Sequence, residues 1–228
     1  MSSYRAERRR STSRLPLEGS AVSPRSDRTS GPVVAYAQLL LACTVLGVGV
    51  ALLLEAALGS DGYSTLVNGL AIASGLPFWQ LNIAVGAVFI GLAWLRGTRP
   101  GPGTLVQWFF VGVVISAVMA WVPGGGSMPV RVAMLVGALA LITVGVAGYL
   151  ASATGAGPAE AMALAWDPPV PFRWSYNLVQ FGGALVGWAL GAAVGPGTVV
   201  VFLLLGPAVD GFRRAFPTLE REPVRADH

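Results

Sequence analysis

Six apolar stretches, each close to the length of a membrane-spanning helix, occupy most of this sequence. A bilayer core is about 30 Å thick, so a helix that crosses it needs roughly 20 mostly apolar residues. Charged residues make up only 11% of the chain, against roughly 25% in soluble domains, which predicts an all-α membrane protein. The predicted spans 1 to 6 are Tyr36–Leu58, Phe78–Leu95, Thr104–Val122, Arg131–Ala153, Trp174–Val194 and Thr198–Phe212.

The arginines segregate to one side of these spans. Seven of the fifteen lie before residue 29, two lie between spans 2 and 3, one precedes span 5, and four follow span 6. Because loops rich in arginine stay in the cytoplasm, both termini are predicted to be cytoplasmic, in an inner (cytoplasmic) membrane protein. Arg131, at the outer edge of span 4, is the exception. Residues 1–32 are predicted to be a disordered Arg/Ser-rich tail and residues 217–228 a second cytoplasmic tail.

A four-residue motif, Gly-Pro-Gly-Thr, occurs twice, at Gly101–Thr104 and at Gly195–Thr198, 94 residues apart. Trp94 and Trp188 share this offset. We therefore predict a duplicated unit, with three-helix repeats at residues 33–123 and 130–216. Three spans is an odd number, so the second copy must enter the membrane from the opposite side. Inverted repeats of this kind underlie many secondary transporters, although a duplicated bundle without transport activity would show the same pattern.

Two connections, residues 59–77 and 155–171, each contain a short helical segment. These segments are Ser64–Ser74 and Ala159–Trp166, with Ser64 and Pro158 as candidate helix starts. Interfacial helices and re-entrant half-helices both fit this pattern.

The Gly-Pro-Gly-Thr motif predicts a tight turn followed by a helix start. Thr104 can cap span 3, with Gln107 completing a capping box, whereas Thr198 repeats only the cap. Uncovered amide donors at such a helix end suit an anion, which makes both threonines candidate binding residues. A plain turn between packed spans is the simpler interpretation.

Asp210 is the strongest single candidate for contact with a solute. It follows twelve uncharged residues, Thr198–Val209, beside Gly206-Pro207. A carboxylate at depth costs a few kcal/mol and must face protein or water. If span 6 ends at this point, Asp210 instead pairs with Arg213 and Arg214 at the interface.

Other polar residues complete the candidate site. Glu160 lies in a short helix and matches Ser64 in the first copy, while Asn82 and Asn177 are amides inside spans, where amides usually hold helices together. Glycines four residues apart in span 5 predict close packing on another helix. The substrate-binding candidates are Asp210, Glu160, Ser116, Ser64, Asn82, Asn177, Thr104 and Thr198.

The sequence offers little for catalysis or metal binding. Cys43 is the only cysteine and lies in an apolar run, and the only histidine, His228, is the last residue. We expect no enzyme activity, no catalytic or metal-binding residue and no cofactor. Since the arginines lie mainly in tails, no nucleic-acid partner is expected either.

The order of motifs over about residues 36–216 is shared with a known family: a glycine-rich first span, a glycine turn, Gly-Pro-Gly-Thr, then Gly-x-x-(Ile/Val)-(Asp/Ser). In this order the chain resembles the YczE-like branch of the YczE/YyaS/YitT integral membrane proteins. The second copy fits well, with Glu160 and Asp210 where the pattern often has acids. The first copy has Ser64 and Ser116 there, so the first half is expected to bind less, or differently. The resemblance implies a membrane protein of a family commonly described as candidate transporters.

Together these features predict a secondary transporter or exporter of a small solute, with its site at the repeat interface. The site is expected where span 6, with Asp210, faces span 3, with Gly112 and Ser116, while the two short connections bring Ser64 and Glu160 toward it. The alternative is a non-transporting accessory or regulatory module for a partner protein. The expected partners are the lipid bilayer and a small solute. Substrate, coupling ion, direction and oligomeric state are not specified by the sequence.

Overall fold

The computed structural model describes residues 32–122, 124–167 and 169–219. This part of the chain is all-helical and contains no strand. The two predicted terminal tails lie outside the described residues, apart from Pro217–Leu219. The helices are α1 (Pro32–Glu55), α2 (Gly62–Ser74), α3 (Phe78–Leu95), α4 (Pro102–Met119), α5 (Met128–Ala151), α6 (Pro158–Leu164), α7 (Phe172–Ala189) and α8 (Pro196–Ala215), followed by a 3-10 turn at Pro217–Leu219.

Five helices are long and apolar enough to cross a membrane: α1, α3, α4, α5 and α8. They coincide with predicted spans 1, 2, 3, 4 and 6. α7 coincides with span 5 and has 18 residues, but it is less apolar because Arg173, Asn177 and Gln180 interrupt its first half. A membrane protein with several apolar helices is thus confirmed, whereas α7 as a sixth span stays a prediction.

Most predicted ends lie within a few residues of the structure, and two differences concern the second half. α7 ends at Ala189 rather than Val194, where the backbone leaves the helix and Gly191 takes a φ of +99°. α8 is not short, because the helix continues through Pro207 to Ala215. Proline fixes a φ close to the helical value, and its missing N–H costs one hydrogen bond that a membrane helix tolerates.

α1 lies at the centre of the helix packing. A Cβ atom placed on Gly145 of α5 would lie 2.7 Å from the backbone nitrogen of Leu46. One placed on Gly148 would lie 3.0 Å from the Ala42 side chain. Residue numbers rise along one helix as they fall along the other, so α1 and α5 are antiparallel. Glycine permits this close approach of the two backbones.

The helix contacts of the first half recur in the second. α1 packs on α4 as α5 packs on α8, and α2 packs on α7 as α6 packs on α3. In each half, the short helix therefore lies against a long helix of the other half. This reciprocal packing agrees with a duplicated unit made of α1–α4 and α5–α8.

Each Gly-Pro-Gly-Thr motif docks on the connection that belongs to the other half. The Gly103 N–H donates to the Thr154 carbonyl oxygen at 3.0 Å, and the Gly197 N–H donates to the Leu58 carbonyl oxygen at 2.8 Å. Leu58 follows α1 and Thr154 follows α5. Because α1 and α5 are antiparallel, the two motifs lie at opposite ends of the helix assembly.

The predicted capping of span 3 by Thr104 was wrong. α4 begins at Pro102 with Gly101 as its N-cap residue and has no side-chain cap. Proline suits the first helical position because it has no N–H to satisfy there, so the helix starts before the threonine. A Cβ atom on Gly155, whose φ is +149°, would lie 2.6 Å from the Thr104 hydroxyl. Thr104 thus packs against the docked connection.

The second copy begins in the same way. α8 has Gly195 as its N-cap residue and Pro196 as its first residue. The Gly195 N–H donates to the Thr198 hydroxyl at 3.4 Å. A Cβ atom on Gly59, whose φ is +105°, would meet the Thr198 hydroxyl. The predicted Thr198 cap is therefore also corrected, since Thr198 lies within the first turn.

Arg131 has a structural role that explains its unusual place. Its guanidinium donates from Nε to the Ala56 carbonyl oxygen at 2.7 Å, and also donates to the Ala57 carbonyl oxygen. These carbonyls follow the last turn of α1, where helical partners are missing and the helix dipole favours a cation. Arg131 thus ties the start of α5 to the end of α1.

Candidate functional site

A cavity of about 670 Å³ lies between the helices, and all eight α-helices or their N-cap residues contribute to its wall. Such a volume falls within the range of small-molecule sites. The wall is mostly apolar, but a polar group of side chains faces it. That group consists of Asp61, Tyr63, Ser64, Asn82, Gln107, Tyr149, Glu160, Tyr176, Asn177, Gln180 and Asp210.

The two short helices bring their first turns to this one cavity. α2 contributes Asp61, Tyr63 and Ser64, and α6 contributes Pro158–Glu160. α2 follows the end of α1 and α6 follows the end of α5, and these ends lie on opposite sides of the assembly. The short helices therefore approach the cavity from opposite ends, and Ser64 and Glu160 both lie in its wall.

Each short helix places one carboxylate in the cavity wall, in addition to Asp210 of α8. Asp61 is the N-cap residue of α2, and its side chain accepts from the Ser64 N–H at 3.0 Å. α2 therefore starts at Gly62, directly after Asp61, and not at Ser64 as predicted. Glu160 Oε1 accepts from the Tyr149 hydroxyl at 2.9 Å. Neither carboxylate has an arginine beside it in the cavity wall.

Burial raises the pKa of both carboxyl groups. For Glu160 the loss of hydration is the main cause, the Tyr149 hydrogen bond opposes it, and repulsion from Asp61 adds to the rise in pKa. Burial likewise raises the pKa of Asp61, against hydrogen bonds from Ser64. When the two carboxyl groups are ionised, they stabilise a positive charge that enters the cavity.

A hydrogen-bond network ties three helices around the cavity. The Tyr63 N–H donates to Gln180 Oε1 at 3.2 Å, and Gln180 Nε2 donates to the Tyr176 hydroxyl at 2.7 Å. The Tyr63 hydroxyl donates to Asn82 Oδ1 at 3.2 Å. These bonds fix the first turn of α2 against α7 and α3. They also occupy the amide of Gln180.

Asn82 and Trp108 lock α3 to α4. Asn82 Nδ2 donates to the Trp108 carbonyl oxygen at 2.8 Å, and Trp108 Nε1 donates to the Ile83 carbonyl oxygen at 3.1 Å. The repeat counterparts, at offsets of 95 and 94, are Asn177 and Phe202. Phenylalanine has no N–H to donate, and Asn177 is exposed. The lock therefore exists in the first half and lacks an equivalent in the second.

The cavity opens where that lock is missing. α7 and α8 meet at few places, one of which is the edge-to-face contact of Phe181 and Phe202. Several cavity residues on these two helices are exposed, in contrast to the buried Asn82. They are Asn177, Phe181, Leu203, Gly206 and Asp210.

Gln107 presents an unsatisfied acceptor to the cavity. The residue is 7% exposed, and its Oε1 has no hydrogen-bond partner among the described residues. A Cβ atom on Gly157 would lie 2.6 Å from Glu160 Oε2, 2.9 Å from Gln107 Oε1 and 3.0 Å from Gln107 Nε2. Both oxygens thus border the same small space. A buried acceptor without a donor is costly, so this space suits a ligand that brings donors.

The structure brings five of the eight predicted site residues to the cavity: Glu160, Ser64, Asn82, Asn177 and Asp210. It places the other three elsewhere. The Ser116 hydroxyl accepts from the Trp79 N–H at 2.9 Å and so caps the start of α3, while Thr104 and Thr198 are buried in the docked turns. Gly112, expected to face span 6, packs on Asn82 instead. The predicted pairing of Asp210 with Arg213 and Arg214 stays a prediction.

Six of the polar cavity residues are not among the predicted site candidates: Asp61, Tyr63, Gln107, Tyr149, Tyr176 and Gln180. Asp61 carried a usable signal, since an Asp three residues before Ser64 is a typical N-cap pattern. Gln107 was assigned to a capping box that does not form. Tyr149 is one phenol in an apolar span, and nothing in its neighbourhood in the sequence indicates a carboxylate partner. Among the described residues, no group of three His, Cys, Asp or Glu side chains could hold a metal ion.

Known proteins include relatives of this chain. The model of a family described as "Family of unknown function (DUF6198)" matches residues 33–214. An "Uncharacterized membrane protein YczE" of Bacillus subtilis is 26% identical over 167 residues, covering 71% of this chain and 77% of the relative. An "Uncharacterized protein" of Haemophilus influenzae is 27% identical over 190 residues, covering 81% and 86%. No solved structure matches the chain. The chain therefore belongs to the DUF6198 family, as the resemblance of its motifs to YczE-like membrane proteins predicted.

Proposed function

We propose that this protein is a secondary transporter of a small solute and that the cavity between its two halves is the solute site. The observation that carries the proposal is that the first turns of both short helices meet in one cavity, each with a carboxylate, Asp61 and Glu160. Transporters built from repeats bind near mid-depth, where interrupted helices expose polar groups. The proposal assigns solute binding to the cavity and no chemical step.

The proposal includes an inverted repeat of six spans in the cytoplasmic membrane, with both termini inside. Two observations support it. The Gly-Pro-Gly-Thr motifs dock at opposite ends of the assembly through equivalent hydrogen bonds. The arginines outside the helices lie almost entirely on one side of six spans. In such an arrangement, rocking of one half against the other exposes the cavity alternately to each side.

The side of the cavity between α7 and α8 is the part most suited to move. α3 and α4 are locked by Asn82 and Trp108, whereas Phe202 stands in the place of the tryptophan. Fewer contacts have to be broken between α7 and α8. We expect solute to enter the cavity along these two helices.

The transport proposal can be tested with purified protein in liposomes. The liposomes are loaded with a defined mixture of amino acids, amines, sugars and organic acids, and the efflux of each is followed by mass spectrometry. At least one component should leave faster than from protein-free liposomes. Glu160→Gln should abolish this excess, while Glu55→Gln, the same change outside the cavity wall, should keep it. Efflux equal to that of protein-free liposomes for every component would contradict the proposal.

A further inference from the structure

The acceptors that border the space beside Gly157 define what can bind there. Glu160 Oε2 and Gln107 Oε1 both face it, and the Gln107 oxygen has no partner among the described residues. The other Glu160 oxygen is occupied by the Tyr149 hydroxyl. Gln107 Nε2 borders the same point, but the Gln107 oxygen is left without a donor. The two acceptor oxygens are best satisfied by a group that carries several N–H donors.

The charges of the cavity wall also favour a ligand with a positive charge. Asp61 and Glu160 are the carboxylates of the two short helices, and the described cavity wall contains no arginine or histidine. A buried carboxylate is destabilised until a positive charge comes close to it. Because the described residues of the cavity wall supply no such cation, a ligand is left to supply it.

The rest of the wall suits an apolar body attached to that cation. Ile142, Val146 and Phe172 border the cavity beside the tyrosines Tyr63 and Tyr176. Aromatic faces attract cations as well as apolar groups. The space thus combines a charged, acceptor-rich end with a larger apolar region.

We propose that the cavity binds a small organic cation, a primary ammonium compound with an apolar or aromatic body. Its ammonium lies between Glu160 Oε2 and Gln107 Oε1, with the carboxylate of Asp61 as a second counter-charge, and its body lies along the aromatic and aliphatic wall. This inference names the substrate class of the proposed transport site and rests on that proposal. Binding can nevertheless be measured without transport.

The test uses four indole probes that differ only in the head group. They are tryptammonium, its N,N,N-trimethyl derivative, the neutral indole-3-ethanol and the anion indole-3-propionate. Binding to the purified full chain in detergent is measured by titration calorimetry at pH 7. Tryptammonium should bind at least tenfold more tightly than the alcohol, and the anion should not bind measurably. The trimethyl compound, which has the charge but no N–H donor at the head group, should bind more weakly than tryptammonium.

Two variants assign the effect to particular groups. Glu160→Gln should weaken tryptammonium binding at least tenfold and remove its advantage over the alcohol, while Glu55→Gln should leave the affinity unchanged. Gln107→Leu should narrow the difference in affinity between tryptammonium and its trimethyl derivative, since one of the two acceptors for the N–H is lost while Glu160 Oε2 remains. Equal affinities of the ammonium and the alcohol in the wild type would overturn the inference, as would an unchanged affinity in Glu160→Gln.

The two proposals fail separately. Selective tryptammonium binding without efflux of any solute from liposomes would keep the cation site and remove the transport proposal. Efflux of solutes that lack a positive charge, together with no ammonium preference in calorimetry, would keep transport and remove the cation site.

Discussion

Single residues set the chemistry of the cavity. Glu160 is held by Tyr149 and lies next to the free acceptor of Gln107, while Asp61 caps α2 and faces the same cavity. Their charges come from opposite halves of the chain and are not neutralised by a basic side chain in the wall. Burying these charges without a partner costs free energy, and a bound cation lowers that cost.

The raised pKa of Glu160 predicts how stability depends on pH. A carboxyl group whose pKa is higher in the folded than in the unfolded protein binds more protons when folded, so stability falls as pH rises. The fall begins near the ordinary glutamate pKa of about 4.3 and ends above the raised value. Without ligand, the melting temperature in detergent should therefore decrease from pH 5 to pH 7.5.

Glu160→Gln should reduce this decrease and raise the melting temperature at pH 7.5, because glutamine can still accept from Tyr149 but carries no charge. Asp167→Asn, at an exposed position outside the cavity wall, is the control and should keep the wild-type slope. An equal slope in wild type and Glu160→Gln would show that burial does not penalise this carboxylate.

The asymmetry between the repeat-related amides leads to a second prediction. Asn82 is 5% exposed and bonded to Trp108, whereas Asn177 is exposed and lines the cavity. In a Cys43→Ser background, Asn177→Cys should react with a small water-soluble thiol reagent, and Asn82→Cys should react at least tenfold more slowly. Equal rates in the two variants would contradict an opening between α7 and α8. Mass spectrometry of the labelled protein gives the rates.

At the scale of elements, glycines determine which helices can touch. α2 crosses α7 so closely that a Cβ atom on Gly183 would lie 2.5 Å from the Gly62 carbonyl oxygen. One on Gly187 would fall on the backbone of Thr65. The prediction that the glycines of span 5 serve packing is confirmed for these two. The contact also positions Asp61, because it fixes the first turn of α2.

Gly187→Ala should therefore destabilise the protein, since the added methyl group meets backbone that cannot rotate away. We expect a loss of about 1–3 kcal/mol or more, as for other overpacked sites. Gly182→Ala is the matched control, because a Cβ atom there meets nothing within 4 Å. It should be neutral or stabilising by up to about 1 kcal/mol through helix propensity. Melting temperature and the monodisperse yield in detergent distinguish the two, and equal values would disprove the close crossing.

At the scale of the whole molecule, two halves of similar sequence hold each other together. Each Gly-Pro-Gly-Thr motif binds the connection of the other half, and each short helix lies on a long helix of the other half. The halves therefore cannot separate without losing both turns.

The orientation of this assembly in the membrane is a prediction at the same scale. With both termini inside, Ser127 lies outside and Thr218 lies inside, and both are exposed. In a Cys43→Ser background, Ser127→Cys should be labelled by an impermeant thiol reagent in intact cells. Thr218→Cys should be labelled only after the cells are opened. Labelling of Thr218→Cys but not of Ser127→Cys in intact cells would reverse the orientation, and labelling of both would contradict three spans between the two positions.

The sequence by itself determined the helices and placed most of their ends within a few residues. Hydrophobic length and the position of glycine and proline act locally, so Phe78–Leu95 was predicted without error and the short helices within a few residues. The family was also evident from motifs along the chain.

Only the tertiary structure decided what the cavity contains. Asp61, Gln107 and Glu160 lie in α2, α4 and α6 or at their starts, and nothing in their sequence neighbourhoods relates one to another. They converge because glycine crossings and docked turns fix how the helices lie, and those contacts join residues about 50 to 140 positions apart. The same holds for the opening between α7 and α8. Trp108 bonds α4 to α3, whereas its counterpart Phe202 has no N–H with which to bond α8 to α7. Helix formation is a local property of this chain, whereas the cavity and its charge come from long-range packing.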